Sequence, residues 1–389
     1  MSKKKTEVSE PSTVKDLTNY INSFYKKNND KVAFSLDGSD FNPSDVTDYI
    51  PSGNDILDIV ISNRKNGGFP VGRITEISGM EASGKSLLAC HALKSTIEKD
   101  GIAVYIDTEN AASDEFMKAI GLDLKKLIYI SENVLENIFE LIEKFILKLR
   151  ESDPDKLVTI VIDSVMGATT KLETETNFDK KGFNTSKSII LSQSMRKITH
   201  LIGKQRVCLI LTNQLRINLN MPPNSPDHYT TSGGKGIAFH SSLRLRLEQK
   251  KKLFVGSKED KIKDFIGVET AVHVMKNRLA PPHRKVKYNI YYNSGMDNYN
   301  SWLEEMKNHK LVDLNGSWYT YRVVNPETGE VLDTIKFLSK DFYDKVIANP
   351  KYKELLYNQL CDALIFKYEK DSKVDIDDLI IEEDFEDEY

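Results

Sequence analysis

Residues 79–86 read GMEASGKS. These residue types at this spacing can hold a nucleotide phosphate. Every fixed position of G-x-x-x-x-G-K-[ST] is met. The glycines let backbone N–H groups curl around phosphate oxygens, the lysine reaches the terminal phosphates, and the serine hydroxyl can ligate Mg²⁺. Gly79, Glu81, Ala82, Ser83, Gly84, Lys85, Ser86 and Leu87 are the candidate nucleotide contacts. A motif this short also arises by chance as a plain glycine turn, so its flanks decide. GRITEIS (72–78) alternates like a strand and runs straight into the loop. LLACHALKSTIEKD follows with helical character, and a helix starting at the Lys-Ser end adds backbone donors and a favourable dipole.

Phosphate chemistry also calls for carboxylates. Asp163 ends the apolar run LVTIVID, where a parallel strand delivers side chains to the crevice beyond the sheet's carboxyl edge. It suits a Mg²⁺-holding role; capping the next turn is the bland alternative. VYIDTEN sets Asp107 and Glu109 just past another strand end. Glu109 is the candidate general base, able to accept a proton or to orient the attacking water. A third strand ends in LTNQ, where Gln214 can hydrogen-bond a γ-phosphate and report its loss, or can simply satisfy a turn.

The elements needed to bring these groups together are legible as alternating strands and helices. GIAVYID (101–107), LVTIVIDS (157–164) and VCLILTNQ (207–214) are near-continuous apolar runs of strand length. Strands buried on both faces read that way, which predicts an α/β fold with a mostly parallel sheet covered by helices. SLRLRLEQ (242–249) and VETAVHVMKN (268–277) alternate and extend one side of the sheet, while residues 133–150 carry a helical apolar stripe. The expected organisation is a disordered 1–12, a helix-plus-strand unit over 13–50, the main domain over 51–297, a small α+β domain over 298–370 and an acidic disordered tail over 371–389. In the first unit Val14, Leu17, Ile21 and Phe24 form one helical stripe and KVAFSL is a strand candidate. GSWYTYRVVNPETGEVLDTIKF reads as a hairpin turning at Pro326 and Gly329, and residues 339–370 read as helical.

Four motifs in order, GMEASGKS, YIDTEN, VIDS and TNQLR, together resemble the RecA family of homologous-recombination ATPases. SQSMRK (192–197), TTSGGKGIAFHSSLRLRL (230–247), VMKNRLAPPHRK (274–285) and the entry SGNDILDIVIS add to the match, which covers roughly residues 13–325. The hairpin block at 316–337 looks closer to the UvsX-type recombinases of tailed phages. The resemblance implies a RecA-like P-loop ATPase core that forms a helical filament on single-stranded DNA, takes up double-stranded DNA during exchange, and binds ATP and Mg²⁺ between neighbouring copies. A single-strand-binding protein and a loader are further implied partners. By position, Lys276 and Arg278 match the cations that reach the neighbour's ATP; alone they would read as surface charge. Phe116 matches the adenine-stacking aromatic, with core packing as the alternative, and the N-terminal helix and KVAFSL match the subunit-docking element.

The same resemblance marks two DNA loops, about 168–188 and about 215–235. Both are polar and long for connections in a compact domain, as functional loops often are. Arg196, Arg216, Gly233, Gly234 and Lys235 are the best DNA contacts, with Lys187 standing in for an arginine missing from the first loop. Met221 stands near the usual aromatic of the second loop as a wedge between bases, with Tyr229 its rival.

Charge fits this reading. The last 19 residues hold ten Asp or Glu against one Lys, a charge of −9, so the remaining chain carries +5 against the −4 of the whole. A mildly basic body with an acidic tail is compatible with nucleic-acid binding; the tail alone also reads as a solubiliser. Three scattered cysteines suit buried thiols in a reducing cytosol. The basic N-terminus lacks the apolar stretch of a signal peptide and no run is long enough to span a bilayer, so a cytoplasmic location, bacterial if the source is a phage, is expected. A hexameric replicative helicase shares the loop, glutamate and aspartate, and a passive single-strand-binding protein that kept the fold is the third reading. The Lys276–Arg278 pair speaks against the helicase and the intact Lys85, Ser86, Glu109 and Asp163 against the passive binder.

Overall fold

The computed structural model describes residues 13–24, 31–35, 45–175, 183–203, 205–217, 229–231, 233, 235–256, 264–326 and 328–368. The predicted disordered start (1–12) and the acidic tail (371–389) lie outside them. The chain divides into two compact units, residues 1–47 and 48–389.

In the first unit, α1 (Val14–Ser23) starts at Thr13, whose hydroxyl accepts from the Asp16 N–H. The predicted stripe is present but no residue of α1 is buried; Val14 and Phe24 are 75% and 67% exposed. Residues 31–35 belong to no strand, which corrects the expectation for the described part of KVAFSL. A strand needs a ladder partner. Here the Asn22 side chain clasps the segment, accepting from the Val32 and Ala33 N–H groups and donating to the Ala33 carbonyl at 2.8–2.9 Å.

The second unit is built on a ten-stranded sheet. Its strands are β3 (Ile74–Gly79), β4 (Ile102–Asp107), β5 (Leu127–Ser131), β6 (Val158–Asp163), β7 (Val207–Ile217), β8 (Tyr229–Thr231), β9 (Leu243–Val255), β10 (Asp264–Asn277), β11 (Lys285–Tyr291) and β12 (Gly295–Met296); β1 (Tyr49–Ile50) and β2 (Phe69–Pro70) pair separately. The order is β12-β11-β10-β9-β3-β7-β6-β4-β5, with β8 paired to the end of β7. From β9 to β5 the neighbours are parallel, and β10, β11 and β12 add antiparallel strands on one side. Two apolar clusters cover the two faces. One centres on α3 (Lys85–Glu98), and the other on α5 (Leu135–Ser152) and α7 (Phe183–Ile202). Val158 through Val161 and Cys208 through Leu211 are buried without a break, the pattern that marked them as central strands. This is a RecA-like α/β fold.

The remaining helices are α2 (Asp55–Ser62), α4 (Asp114–Ala119), α6 (Lys171–Glu175), α8 (Lys235–His240), α9 (Tyr299–Asn308) and α10 (Pro350–Leu364). The first predicted DNA loop therefore contains helix at both ends, because α6 takes 171–175 and α7 begins at Phe183. Beyond α9, strands β13 (Val312–Asn315), β14 (Trp318–Val324) and β15 (Val331–Leu338) form a β-rich C-terminal sheet. Its core residues Tyr321, Val323 and Phe337 join the same apolar cluster as α3. The helical stretch predicted over 339–370 is interrupted. A π-helical turn at Tyr343–Ile347 precedes α10, which starts anew where Asn349 caps Lys351 and Tyr352 N–H groups and Pro350 occupies the first turn. Cys90, Cys208 and Cys361 are free and buried.

Candidate nucleotide and DNA site

The parallel register gathers the predicted groups at one edge of the sheet. Gly79 lies opposite Gln214, and Asp107 opposite Asp163. Beside Asp107 and Asp163 opens a cavity of about 270 Å³ lined by Ser86, Tyr105, Glu109, Phe116 and Asp163, among others. Phe116 also packs against the main core, its alternative reading.

The glycine loop has no room for a side chain at its last glycine. Gly84 has φ +94°, and a Cβ there would meet Ile290 at 2.6 Å. It occupies the N-cap of α3 with no side-chain cap, so the first N–H groups of that helix have no side-chain acceptor. An uncapped N-terminus is a donor array with a positive dipole end, which fits phosphate. Lys85 folds back and donates to the carbonyls of Met80 (2.7 Å) and Gly79 (3.1 Å). Burial pulls its ammonium below the usual lysine range, against the pull of Asp163, Glu109 and Glu81. Ser83 is buried, its hydroxyl donating to Met80, so it stiffens the loop; Glu81 and Ala82 are exposed or nearly so, Ala82 in a left-handed conformation, and Leu87 is buried in the core.

Four side chains that sequence reading missed organise the carboxylates. Tyr105 Oη donates to Asp163 Oδ2 at 2.6 Å, and Thr212 donates to Asp163 Oδ1. Burial, then the Asp163 charge, push the Tyr105 phenol up, so it remains a donor. Ser164 Oγ donates to Glu109 Oε1 at 2.7 Å, and Gln214 Nε2 reaches the same oxygen at 3.5 Å. Asp107 is not a free base: it accepts from the N–H groups of Glu109 and Ala112 and from Tyr129 Oη, folding the turn that presents Glu109. The Asp163–Ser164 peptide is cis. Ser164 stands inside the quoted VIDS motif and was open to discovery; the tyrosine contacts cross strands and left no local mark.

The donor set also fits Mg²⁺. This ion is held through one or two protein groups with substrate phosphates completing its shell, and Ser86 and Asp163 face one cavity. Among the described residues no group of three or more His, Cys, Asp or Glu is arranged to hold a metal ion. No described helix is long and apolar enough to cross a membrane.

The residues up to 297 match the model of the RecA N-terminal domain over 18–297. The chain belongs to the RecA family. It is 34% identical to Protein RecA of Treponema denticola over 274 residues, 70% of this chain and 62% of that protein. Against Protein RecA of Leifsonia xyli it is 31% identical over 313 residues, 80% of each chain. Against that of Borrelia turicatae it is 34% identical over 271 residues, 70% of each.

The residues that the RecA resemblance marked for DNA divide. Arg196 is exposed on α7 and Lys235 is exposed at the start of α8. Arg216 lies on β7 opposite Thr230 of β8. Gly233 has φ +94° and approaches Met166 and Leu191, where a Cβ would meet them at 3.0 and 3.2 Å, so it lies beside residues that flank the first marked region on either side. Met221 and Gly234 lie outside the described residues. Lys187 is corrected. Its ammonium is turned inward, donating to the carbonyls of Met166 (2.9 Å) and Ala168, and burial pulls it below the ordinary lysine range. It fastens α7 to the turn after β6 instead of facing a phosphate backbone.

Lys276 and Arg278 sit at the far edge of the sheet. Leu243 of β9 lies opposite Thr75 and Asn277, whereas Leu247 lies opposite Gly79. The end of β10 is thus about 13 Å back along the strands from the phosphate loop, at ~3.3 Å per residue. Lys276 Nζ donates to Ala238 O and Phe239 O at 2.7 and 3.0 Å, and Arg278 to Phe239 O at 3.3 Å. Neither faces the nucleotide site of its own chain.

Proposed function

We infer that this chain is an ATP-dependent DNA recombinase, a DNA-dependent ATPase that pairs homologous strands by strand exchange. RecA-family proteins bind DNA and form filaments, and membership in that family disfavours the hexameric helicase and the passive single-strand binder. The observation that carries the reading is the meeting of Ser86, Glu109 and Asp163 around one cavity, with Gln214 reaching the Glu109 carboxylate at 3.5 Å.

In our reading ATP is held by the backbone of residues 79–86, by Lys85 and by Leu87's turn of α3, with its base against Phe116. Mg²⁺, when bound through Ser86 and Asp163, supplies charge neutralisation on the phosphates. Glu109 orients water and takes its proton; Ser164 fixes the carboxylate so that one oxygen is aimed. Gln214 senses the γ-phosphate. Lys276 and Arg278 act on the ATP of the next copy, so hydrolysis requires a formed junction. Their distance from the phosphate loop of their own chain supports that assignment. So does α8, whose N-terminal end abuts the second DNA region and whose C-terminal carbonyls hold both cations.

The copies assemble as a helical filament on single-stranded DNA, with the exposed stripe of α1 docking on the neighbour, and double-stranded DNA enters during exchange. Arg196, Arg216, Gly233, Gly234 and Lys235 contact mainly backbone, with Met221 or Tyr229 between bases, so binding is weakly sequence-specific and salt-sensitive. The 316–337 hairpin supports the UvsX type, hence a phage origin and the bacterial cytoplasm as the place of action, with a single-strand-binding protein and a loader as partners. ATP turnover with and without single-stranded DNA, paired with electron microscopy in ATP, tests the reading. Stimulation and filaments are expected; rings, or turnover indifferent to DNA, would refute it.

A further inference from the structure

The centre of the sheet contains an ion pair that the chemistry above does not use. Glu76 on β3 is fully buried. One of its oxygens accepts from Asn213 Nδ2 at 2.8 Å, and the other from Arg244 Nε on β9. Arg244 then extends an NH2 group to Thr231 Oγ1 at 3.2 Å. Asn213 is the residue before Gln214, and Thr231 is the last residue of β8. Among the described residues β8 has no ladder to β9 and pairs with the end of β7, Leu215 opposite Thr231. A second arginine of the same face of β9 repeats the contact, with the Arg246 guanidinium 4.7 Å from the Tyr229 ring centre.

We propose that the Glu76–Arg244 pair is a positioning element that couples the strand carrying Gln214 to the strand that closes the second DNA loop. This rests on reading residues 215–235 as a DNA loop and Gln214 as the γ-phosphate sensor. A buried ion pair is a poor source of stability, since burying two charges costs about as much as their attraction returns. Its use is geometric. A carboxylate held by two donors fixes Asn213 and Arg244 relative to each other, and a guanidinium is a planar fork that transmits orientation. A shift of β7 at Gln214 therefore moves Asn213, and through Glu76 and Arg244 the side chain of Thr231. The route crosses three strands without passing through the loop itself. It gives the loop two anchors, the β7–β8 ladder and the β9 arginines, and the second runs through a side chain of β3, the strand that enters the phosphate loop.

Two variants test this. Glu76→Gln/Arg244→Gln removes both charges together and leaves no orphaned ion. Thr231→Val cuts only the last link. The readouts are affinity for a fluorescent ATP analogue, turnover without DNA, turnover with single-stranded DNA, and the change in DNA affinity between ATP- and ADP-bound protein. For the paired variant, analogue affinity and DNA-free turnover stay within about twofold, while stimulation by DNA and the ATP-over-ADP preference for DNA fall about fivefold or more, the lower end of measured site–site couplings. Thr231→Val lowers the same two ratios. Should the paired variant fail to fold, Thr231→Val carries the test alone. Ratios within twofold of wild type in every folded variant overturn the inference and leave the recombinase reading intact. A wild-type chain that DNA does not stimulate overturns that reading first, and this one with it.

Discussion

Gly167→Ala is a one-carbon change that ought to disable hydrolysis while sparing nucleotide binding. A Cβ at 167 would lie 2.5 Å from Glu109 Cγ and 2.8 Å from both Glu109 Oε1 and Thr108 Oγ1. Carbon atoms at rest sit about 3.5 Å apart or more, so one partner moves by about 1 Å. Thr108 cannot yield: it is buried, and its hydroxyl both donates to the Ser164 carbonyl and accepts from the Ser164 N–H. Glu109 is exposed and gives way, losing the 2.7 Å bond from Ser164. A misplacement of about 1 Å at a reacting group costs about a hundredfold in rate, or roughly 2.7 kcal/mol of barrier. Lys85, Ser86 and the glycine loop are untouched, so nucleotide affinity holds within about twofold. The assay is steady-state ATP turnover with saturating single-stranded DNA, alongside titration with a fluorescent ATP analogue and a thermal melt. A kcat within threefold of wild type in a folded variant would show that the position of Glu109 does not govern hydrolysis.

Tyr105→Phe removes a donor to Asp163; the Mg²⁺ concentration giving half-maximal turnover should rise about tenfold or more, the usual cost of losing a group that orients a metal-holding side chain. Lys187→Ala should lower stability by roughly 1–3 kcal/mol, because two inward carbonyls lose their donor. Arg196→Ala should leave the melt unchanged and reduce the salt slope of single-strand binding by about 0.7, the share of one phosphate contact. Acid should destabilise the fold early. Burial lowers His91 and His273 to about 4, with Lys94 and Lys285 adding repulsion. Both are neutral when folded and take up protons on unfolding, so their stability contribution is complete above pH 6.5 and is lost as pH falls toward 4. Between pH 6.5 and 5.5 the two together should cost about 2 kcal/mol in urea unfolding. A flat profile across that unit would contradict it.

What was readable in the sequence was what is local or repeats along a strand. The phosphate loop is contiguous, and strands buried on both faces betray themselves as unbroken apolar runs. The strand-end rule predicts Glu109, Asp163 and Gln214 at one edge of the sheet. What escaped depends on residues far apart in the chain. Lys187 looks like any lysine of a polar stretch, and only α7 packing after β6 turns its ammonium inward. Tyr105 meets Asp163 across a strand pair, and Gly167 matters because Glu109 passes beside it. Residues 31–35 have strand composition, yet a strand is a relation between two segments, and the described residues of this unit offer none. Reading 339–370 as helical passed over Pro350, which cannot continue a helix but opens one well, and α10 starts there.

The most direct test of a nucleotide shared between copies is complementation by mixing. Lys85→Ala spoils the phosphate loop but keeps both cations; Lys276→Ala/Arg278→Ala keeps the loop and loses the cations. Each protein alone should be nearly inactive with single-stranded DNA and ATP. In an equal mixture, about one head-to-tail junction in four joins an intact loop to intact cations, so turnover should return to about a quarter of wild type. A mixture no more active than its two components would mean that each chain completes its own site, and the account of hydrolysis at a junction would be wrong.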